Sequence, residues 1–456
     1  MRLQQKAAKF IAEEGNLLIT DNHIQQAKVH ILDTVGAALA AHTDPISTTL
    51  LDYNDEMDEA GAISIWGTDR KTTLQNAVFI NGILCHALDY DDTTWGFMGH
   101  PSAVLVPALI GVAEKYGCSG QEVVKGYLIG SEISCRLGEI AKPNLYKNGW
   151  HATSAVGVLG ATAAIGHLLK LNIQKMTHAL GIGATSAFGL RSNFGSMTKP
   201  FHVGLAAQAG VRAALLAKNG FTSSEEALDG KMGYYANFSN KEHEELANVT
   251  FGKPFDIEQN GFFVKPYPSC AATHSAIDAI LSLIEEGDLT PDKVKKIRAG
   301  SGPVAPLMLI YDRPTKGFEG KFSMPFILSA ALHDRKIGIE TFTDGKVNDT
   351  SIKELMNKVE CYIHDNYKDY TIDKTPANIE VEMEDGTTAV KIVNSPSGSP
   401  EKPLTTDRLQ QKYIDCARRV LSDEKVQNSY DLLQRLDTVK NIKAITEELS
   451  TIRTVV

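Results

Sequence analysis

ATSAVGVLGATAAIGHLL, Ala152 to Leu169, carries the plainest structural signal in the chain. Wound at 3.6 residues per turn it is apolar on every side, so a helix here has no face for water and must lie among others. Its many Ala and Gly residues leave room for neighbouring helices to come close. The expectation is a central, buried helix in a helical assembly.

The same texture extends outward. From Asp21, read as an N-cap, Ile24, Ala27, Ile31, Leu32 and Val35 fall on one helical face. Ser119 with Glu122 and Ser223 with Glu226 have the capping-box spacing, in which hydroxyl and carboxylate satisfy each other's free amides. The pattern stays helical to about residue 265. Beyond it, Lys293–Gly300 and Val359–His364 read as strands, and Ile379–Met383 with Thr387–Val393 as a hairpin about Glu384, Asp385 and Gly386. Phe326–Leu332 and Ser351–Lys358 are helical between them, which makes this part a smaller α+β unit. Ser395–Pro403, SPSGSPEKP, is expected to be a surface connection. Helices at about 405–421 and 426–448 are expected to return to the first domain. The predicted organisation is thus mainly α, with a large all-helical domain (1–265 with 404–456) and a smaller α+β domain (266–403). No fixed-period repeat suggests a solenoid.

A chain of 456 residues exceeds what one core usually organises, which agrees with two domains. With 43% hydrophobic and 22% charged residues the composition is that of a globular protein. The 46 Lys and Arg against 55 Asp and Glu give a formal charge of −9, so there is no electrostatic footprint for nucleic acid or an anionic membrane. An anionic substrate would need a locally basic pocket. The opening MRLQQKAAKFIAEEG lacks the layout of a secretory signal, and the apolar run Ala103–Ala113 falls short of the roughly 20 residues of a membrane span. A soluble, cytoplasmic protein is expected. Six scattered cysteines without a CxxC pair indicate neither a disulfide framework nor a zinc knuckle, and most are expected to be buried thiols.

The densest polar cluster is CHALDYDDTTWGFMGHPS, Cys85–Ser102, with His86, Asp89, Asp91, Asp92, Thr93 and His100. Carboxylates beside imidazoles can exchange protons near neutral pH when their surroundings separate their pKa values. A capped, solvated loop would look the same, and Asp and His are also metal ligands; no HExxH-like spacing supports a metal, and none is expected. His151 opens the Ala/Gly-rich helix, where the helix terminus favours a neutral base; a simple cap is the alternative. Lys199, with Pro200 and His202, stands at a helix start in GSMTKPFHVG, suited to an anion unless it is merely a surface lysine. Lys265 lies in the apolar, proline-stiffened FFVKPYPSCAATH at the expected domain junction, where small-ligand clefts form.

Taken together, DYDDT followed by GHPS, NGWHATS, TKPFHVGLAAQAG, KPYPSCAATH and GKFSMPF resemble the MmgE/PrpD family, in family order and over nearly the whole chain. The resemblance implies a helical domain completed by the C-terminal helices, an α+β lid and a homodimer. The family includes 2-methylcitrate dehydratase, cis-aconitate decarboxylase and iminodisuccinate epimerase, which move protons at carbon beside carboxylates. No metal, nucleotide or pyridoxal cofactor is implied. By resemblance to the decarboxylases, Asp89, Thr93, His100, His151, Lys199 and Lys265 occupy pocket positions, while His202 and Cys270 lie in the same matching blocks as candidate substrate contacts. The loop from Asp89 to His100 is one residue longer here, so Thr93 and Thr94 compete for one family position. Cys270 stands where the decarboxylases have a histidine and Phe326 where they have a tyrosine.

The resulting expectation is a cofactor-free acid/base lyase, a dehydratase or decarboxylase, acting on a small di- or tricarboxylate such as methylcitrate or aconitate. An epimerase of an amino- or imino-dicarboxylate is the alternative, and a non-catalytic carboxylate-binding protein the rival from another class. Lys199, Lys265 and His100 would hold carboxylates; His151 or Asp89 would move the proton.

Overall fold

The computed structural model describes residues 1–241, 246, 248–287, 289–370 and 374–451. They divide into two compact units, Met1–Ser192 with Thr198–Phe262 and Thr405–Val456, and Asn193–Met197 with Phe263–Leu404. The second unit thus begins at Phe263, and the short Asn193–Met197 segment goes with it. Tyr311 explains that segment's allegiance: its hydroxyl donates to the Phe194 carbonyl at 2.8 Å, and its ring lies against Gly195.

The first unit is helical, and the Ala152–Leu168 helix sits at its centre, buried at nearly every position. Helices Pro101–Tyr116, Gly120–Ala141, Ile173–Thr185 and Thr198–Lys218 pack around it. Small residues make this possible. A Cβ on Gly160 would lie 1.9 Å from Ser134 Oγ and 2.8 Å from the Gly130 carbonyl, so at this crossing the backbones nearly touch. A Cβ on Gly204 would lie 2.3 Å from the Phe79 carbonyl, which seats the Thr198–Lys218 helix directly on Leu74–Ala87. The Ser119–Glu122 capping box forms. Thr20, rather than Asp21, caps the Asp21–Ala40 helix, because its hydroxyl reaches the His23 amide.

Three further expectations are corrected. No helix starts after Ser223, whose hydroxyl bonds the His178 carbonyl while Ser224 takes the Glu226 amide. A small antiparallel hairpin, β1 (Ile63–Ser64) with β2 (Lys71–Thr72), interrupts the helical stretch. The helix read over 426–448 is two, Asp423–Gln434 and Lys443–Glu448, separated by a 3₁₀ turn at Leu436–Thr438. With Thr406–Ala417 they belong to the first unit, and Tyr413 packs on Gly36 of the Asp21–Ala40 helix.

In the second unit, β3 (Val294–Ser301), β4 (Val359–Ile363), β5 (Ala377–Met383) and β6 (Thr388–Val393) form one sheet in the order β4-β3-β5-β6. β3 and β4 run parallel, so the chain between them crosses over through helices Met324–Asp334 and Thr350–Met356. The β5–β6 hairpin turns at Gly386, whose φ of 86° suits a residue without a Cβ. Helices His274–Glu286 and Met324–Asp334 close this unit's core with Ile277, Ile280, Phe326, Ile297 and Ile379. Of the expected surface connection, residues 400–403 are exposed, whereas residues 396–399 are buried. The Ser397 amide donates to Asp278, and the Gly398 carbonyl accepts from Val264. Cys85, Cys135, Cys270 and Cys416 are buried, Cys118 is half-buried and Cys361 is exposed. Among the described residues no helix is long and apolar enough to cross a membrane.

Candidate active site

The Leu74–Ala87 helix ends at His86 and Ala87, and the chain turns at once through Asp89, whose φ of 53° is unusual for a residue with a side chain. Successive side chains of this loop have different partners. Asp89 and Asp91 meet a cluster of cations and imidazoles, whereas Tyr90 and Asp92 meet the helices behind.

Lys199 Nζ donates to Asp89 Oδ2 at 2.9 Å, and both side chains are at most 7% exposed. Lys199 is therefore not the surface lysine of the alternative reading. It lies in the first turn of Thr198–Lys218, as does Pro200. His86 Nδ1 lies 2.9 Å from both Asp91 oxygens. His100 Nδ1 lies 2.8 Å from the Asp92 carbonyl and 3.1 Å from Asp91 Oδ2. Since carbonyl and carboxylate oxygens only accept, each of these Nδ1 atoms carries a proton. That leaves His100 Nε2 pointing toward Asp89 Oδ1, 3.7 Å away. His86 Nε2 is buried with no hydrogen-bond partner.

His151 is the residue before the central helix, but its side chain does not cap it. The imidazole instead meets His202, Nδ1 to Nδ1 at 3.2 Å, so that one ring donates and the other accepts. The four rings follow in sequence, with centroid separations of 4.4 Å from His100 to His86, 6.0 Å from His86 to His151 and 5.4 Å from His151 to His202.

Burial pushes His86 down to about 3, with the Lys199 and His100 charges acting in the same direction against Asp91. Burial, then Lys199, lowers His151 well below an ordinary imidazole and takes His202 to about 4. Burial alone would raise Asp91, but His86 and His100 together hold it below the usual carboxylate range. The site therefore contains ionised Asp91 and neutral His86, His151 and His202 at pH 7. Neutral imidazoles beside a fixed ammonium are bases able to accept a proton from carbon.

Thr93 is buried and donates to the Gly99 carbonyl at 3.0 Å; Thr94 pairs with Gly99 through the backbone and accepts from the Gly96 amide. Both hydroxyls thus brace the loop. The ligand atoms of His86, Asp89, Asp91 and His100 lie within 4.8 Å of one another, a spacing compatible with a metal. Here the Lys199 ammonium already lies on Asp89, and Asp91 already accepts from His86.

The structure thus brings Asp89, Thr93, His100, His151, Lys199 and His202 into one region of the first unit. Lys265 and Cys270 belong to the second unit, where both are buried; the Cys270 amide donates to the Lys321 carbonyl. Phe326 is fully buried against Phe342 in that unit's core. His86 and Asp91 were legible as members of the polar cluster but were not singled out. The available signal was spacing, since His86 lies three residues before Asp89 at a helix end.

A family model described as the MmgE/PrpD N-terminal domain matches residues 5–247, and one described as the MmgE/PrpD C-terminal domain matches 267–438. The chain is 30% identical to a cis-aconitate decarboxylase of Homo sapiens over 445 residues, covering 94% of this chain and 90% of that protein. It is 27% identical to a cis-aconitate decarboxylase of Mus musculus, with the same coverage, and 25% identical to one of Aspergillus terreus, covering 95% and 92%.

Proposed function

Because the chain belongs to the MmgE/PrpD family, we propose that it is a cofactor-independent lyase that decarboxylates a small tricarboxylate of the aconitate kind. One observation carries the reading: a buried Asp89–Lys199 pair set among four imidazoles, three of them held neutral. The names of the relatives favour decarboxylation over dehydration.

In this scheme a substrate carboxylate competes with Asp89 for the Lys199 ammonium, and His100 contributes a second donor once protonated. Lys265 takes another carboxylate, a role that rests on the family pattern. Cleavage of the carbon–carboxylate bond releases carbon dioxide and leaves its electron pair on carbon. Fixed cations at the remaining carboxylates disperse that charge as an enediolate-like carbanion. A solvent proton then quenches it, taken up first by neutral His151 or by the Asp89 carboxylate and passed on to carbon. That transfer returns the carrier to its resting form without an electron acceptor.

Cys270 favours a second reading. A thiol in place of the decarboxylases' histidine offers a second proton carrier, and two-sided proton transfer would make an epimerase. Under the lyase reading, Cys270→Ser leaves the stereochemistry of exchange intact; loss of exchange from one face only would establish the epimerase instead.

The test is a panel of citrate, methylcitrate, cis-aconitate and amino- or imino-succinate analogues, followed by proton NMR with EDTA present throughout. The expected result is loss of carbon dioxide from an aconitate-type substrate, undiminished by the chelator. Saturable binding without turnover of any of them, or activity restored only by one divalent metal, would overturn the proposal.

A further inference from the structure

Behind the Asp89–Asp92 loop lies a second buried ionic group that the proposed chemistry does not use. Lys412, on the Thr406–Ala417 helix, is 8% exposed, and Asp33, on the Asp21–Ala40 helix, is 2% exposed. Lys412 Nζ is 2.6 Å from Asp33 Oδ1 and donates to the Tyr90 carbonyl at 2.8 Å. The same ammonium lies 3.9 Å from the centre of the Tyr90 ring. Asp92, two residues on, accepts from Ser102 Oγ at 2.5 Å and lies 2.8 Å from His30 Nδ1.

Burying a Lys–Asp pair contributes little net stability, because the desolvation cost offsets most of the attraction. Its consequence here is geometric. The carbonyl that Lys412 fixes belongs to the peptide between Tyr90 and Asp91, midway between the two carboxylates that face the imidazoles. Asp89 itself keeps a left-handed backbone, φ 53°, which a residue with a Cβ holds only when its surroundings over-determine it. Lys199 restrains Asp89 from the front. From behind, Asp92 is tied to Ser102 and His30, and Lys412 holds the Tyr90 carbonyl between the two faces.

We propose that Lys412 and Asp33 are positioning residues: acting through the Tyr90 peptide, they hold Asp89 in the orientation that the proposed proton transfer needs. The C-terminal helices thereby complete the catalytic loop from some 320 residues away in sequence. This inference rests on the lyase reading of Asp89.

A double-mutant cycle on the full-length protein separates the two. Lys412→Met is expected to lower kcat about tenfold while KM stays within about threefold, since a misplaced carboxylate weakens the transition state more than binding. In an Asp89→Asn background the same change should cost less than about twofold further, because its effect passes through Asp89. Should Lys412→Met not fold, Asp33→Asn, which keeps the volume and removes only the countercharge, carries the same comparison. A kcat within about twofold of wild type, or a loss that multiplies in full with Asp89→Asn, overturns the inference. Wild-type turnover in Asp89→Asn alone would instead remove the reading beneath it.

Discussion

Asp89 and His151 carry the heaviest demands on single side chains. Asp89→Asn keeps the shape but loses the charge that pairs with Lys199; His151→Ala removes a buried neutral base. Each is expected to lower turnover by about a hundredfold or more with the fold retained, as loss of a positioned acid or base does. Steady-state kinetics with circular dichroism as the folding control checks this, and near wild-type turnover in both would remove the proton-transfer roles. At this scale the sequence was informative where residue types were dense: DYDDT and GHPS announced a cluster, and the structure places Asp89, His100, His151 and Lys199 in one region. It was silent on partners. That Lys412 reaches Tyr90 and that His151 meets His202 depend on packing between segments far apart in the chain, and that His86 bonds Asp91 depends on how the loop turns after the helix; periodicity encodes neither.

Elements were legible in proportion to their local signal. The central helix was readable because apolarity on all sides admits one placement, and the β5–β6 hairpin because Asp385 and Gly386 supply the turn chemistry. The β1–β2 hairpin was missed because two-residue strands offer no alternation to detect. Ser223 misled because a hydroxyl three residues before a glutamate caps a helix only if one follows, and here tertiary contacts with His178 claim it. SPSGSPEKP looked solvated by composition, yet its backbone is held by Asp278 and Val264. The close helix crossing gives a test at this scale. Gly160→Val must separate Ala152–Leu168 from Gly120–Ala141, and about 1–3 kcal/mol of destabilisation is expected from overpacking. Urea unfolding measures it, and an unchanged midpoint would contradict the close approach.

Across the whole molecule, histidines held neutral give stability a pH dependence with a definite sign. His86, at about 3, His202, at about 4, and His151, well below its ordinary value, bind fewer protons folded than unfolded. Their contribution is therefore fully present above about pH 6.5 and is lost as the pH falls toward the folded values, by up to about 1.4 kcal/mol per pH unit for each group. Asp33, raised by burial to about 6, acts oppositely, because its folded form retains a proton that the unfolded chain releases between about pH 4 and 6. Three groups outweigh one, so the melting temperature is expected to fall from pH 7 to pH 5. A flat or rising profile over that interval would show that these imidazoles are not buried neutral. The division into helical and α+β parts was visible from texture alone, whereas the transfer of Asn193–Met197 to the second unit was not, since it depends on Tyr311 more than a hundred residues away.

In the proposed reaction, carbon loses carbon dioxide and gains a proton supplied through this cluster. It is tested most directly by turning over an aconitate-type substrate in heavy water while counting carbon dioxide released and carbon–deuterium bonds formed in the product. One solvent deuteron on carbon is expected for each carbon dioxide. Deuterium entering recovered substrate without carbon dioxide release, or carbon dioxide release without deuterium in the product, would contradict it.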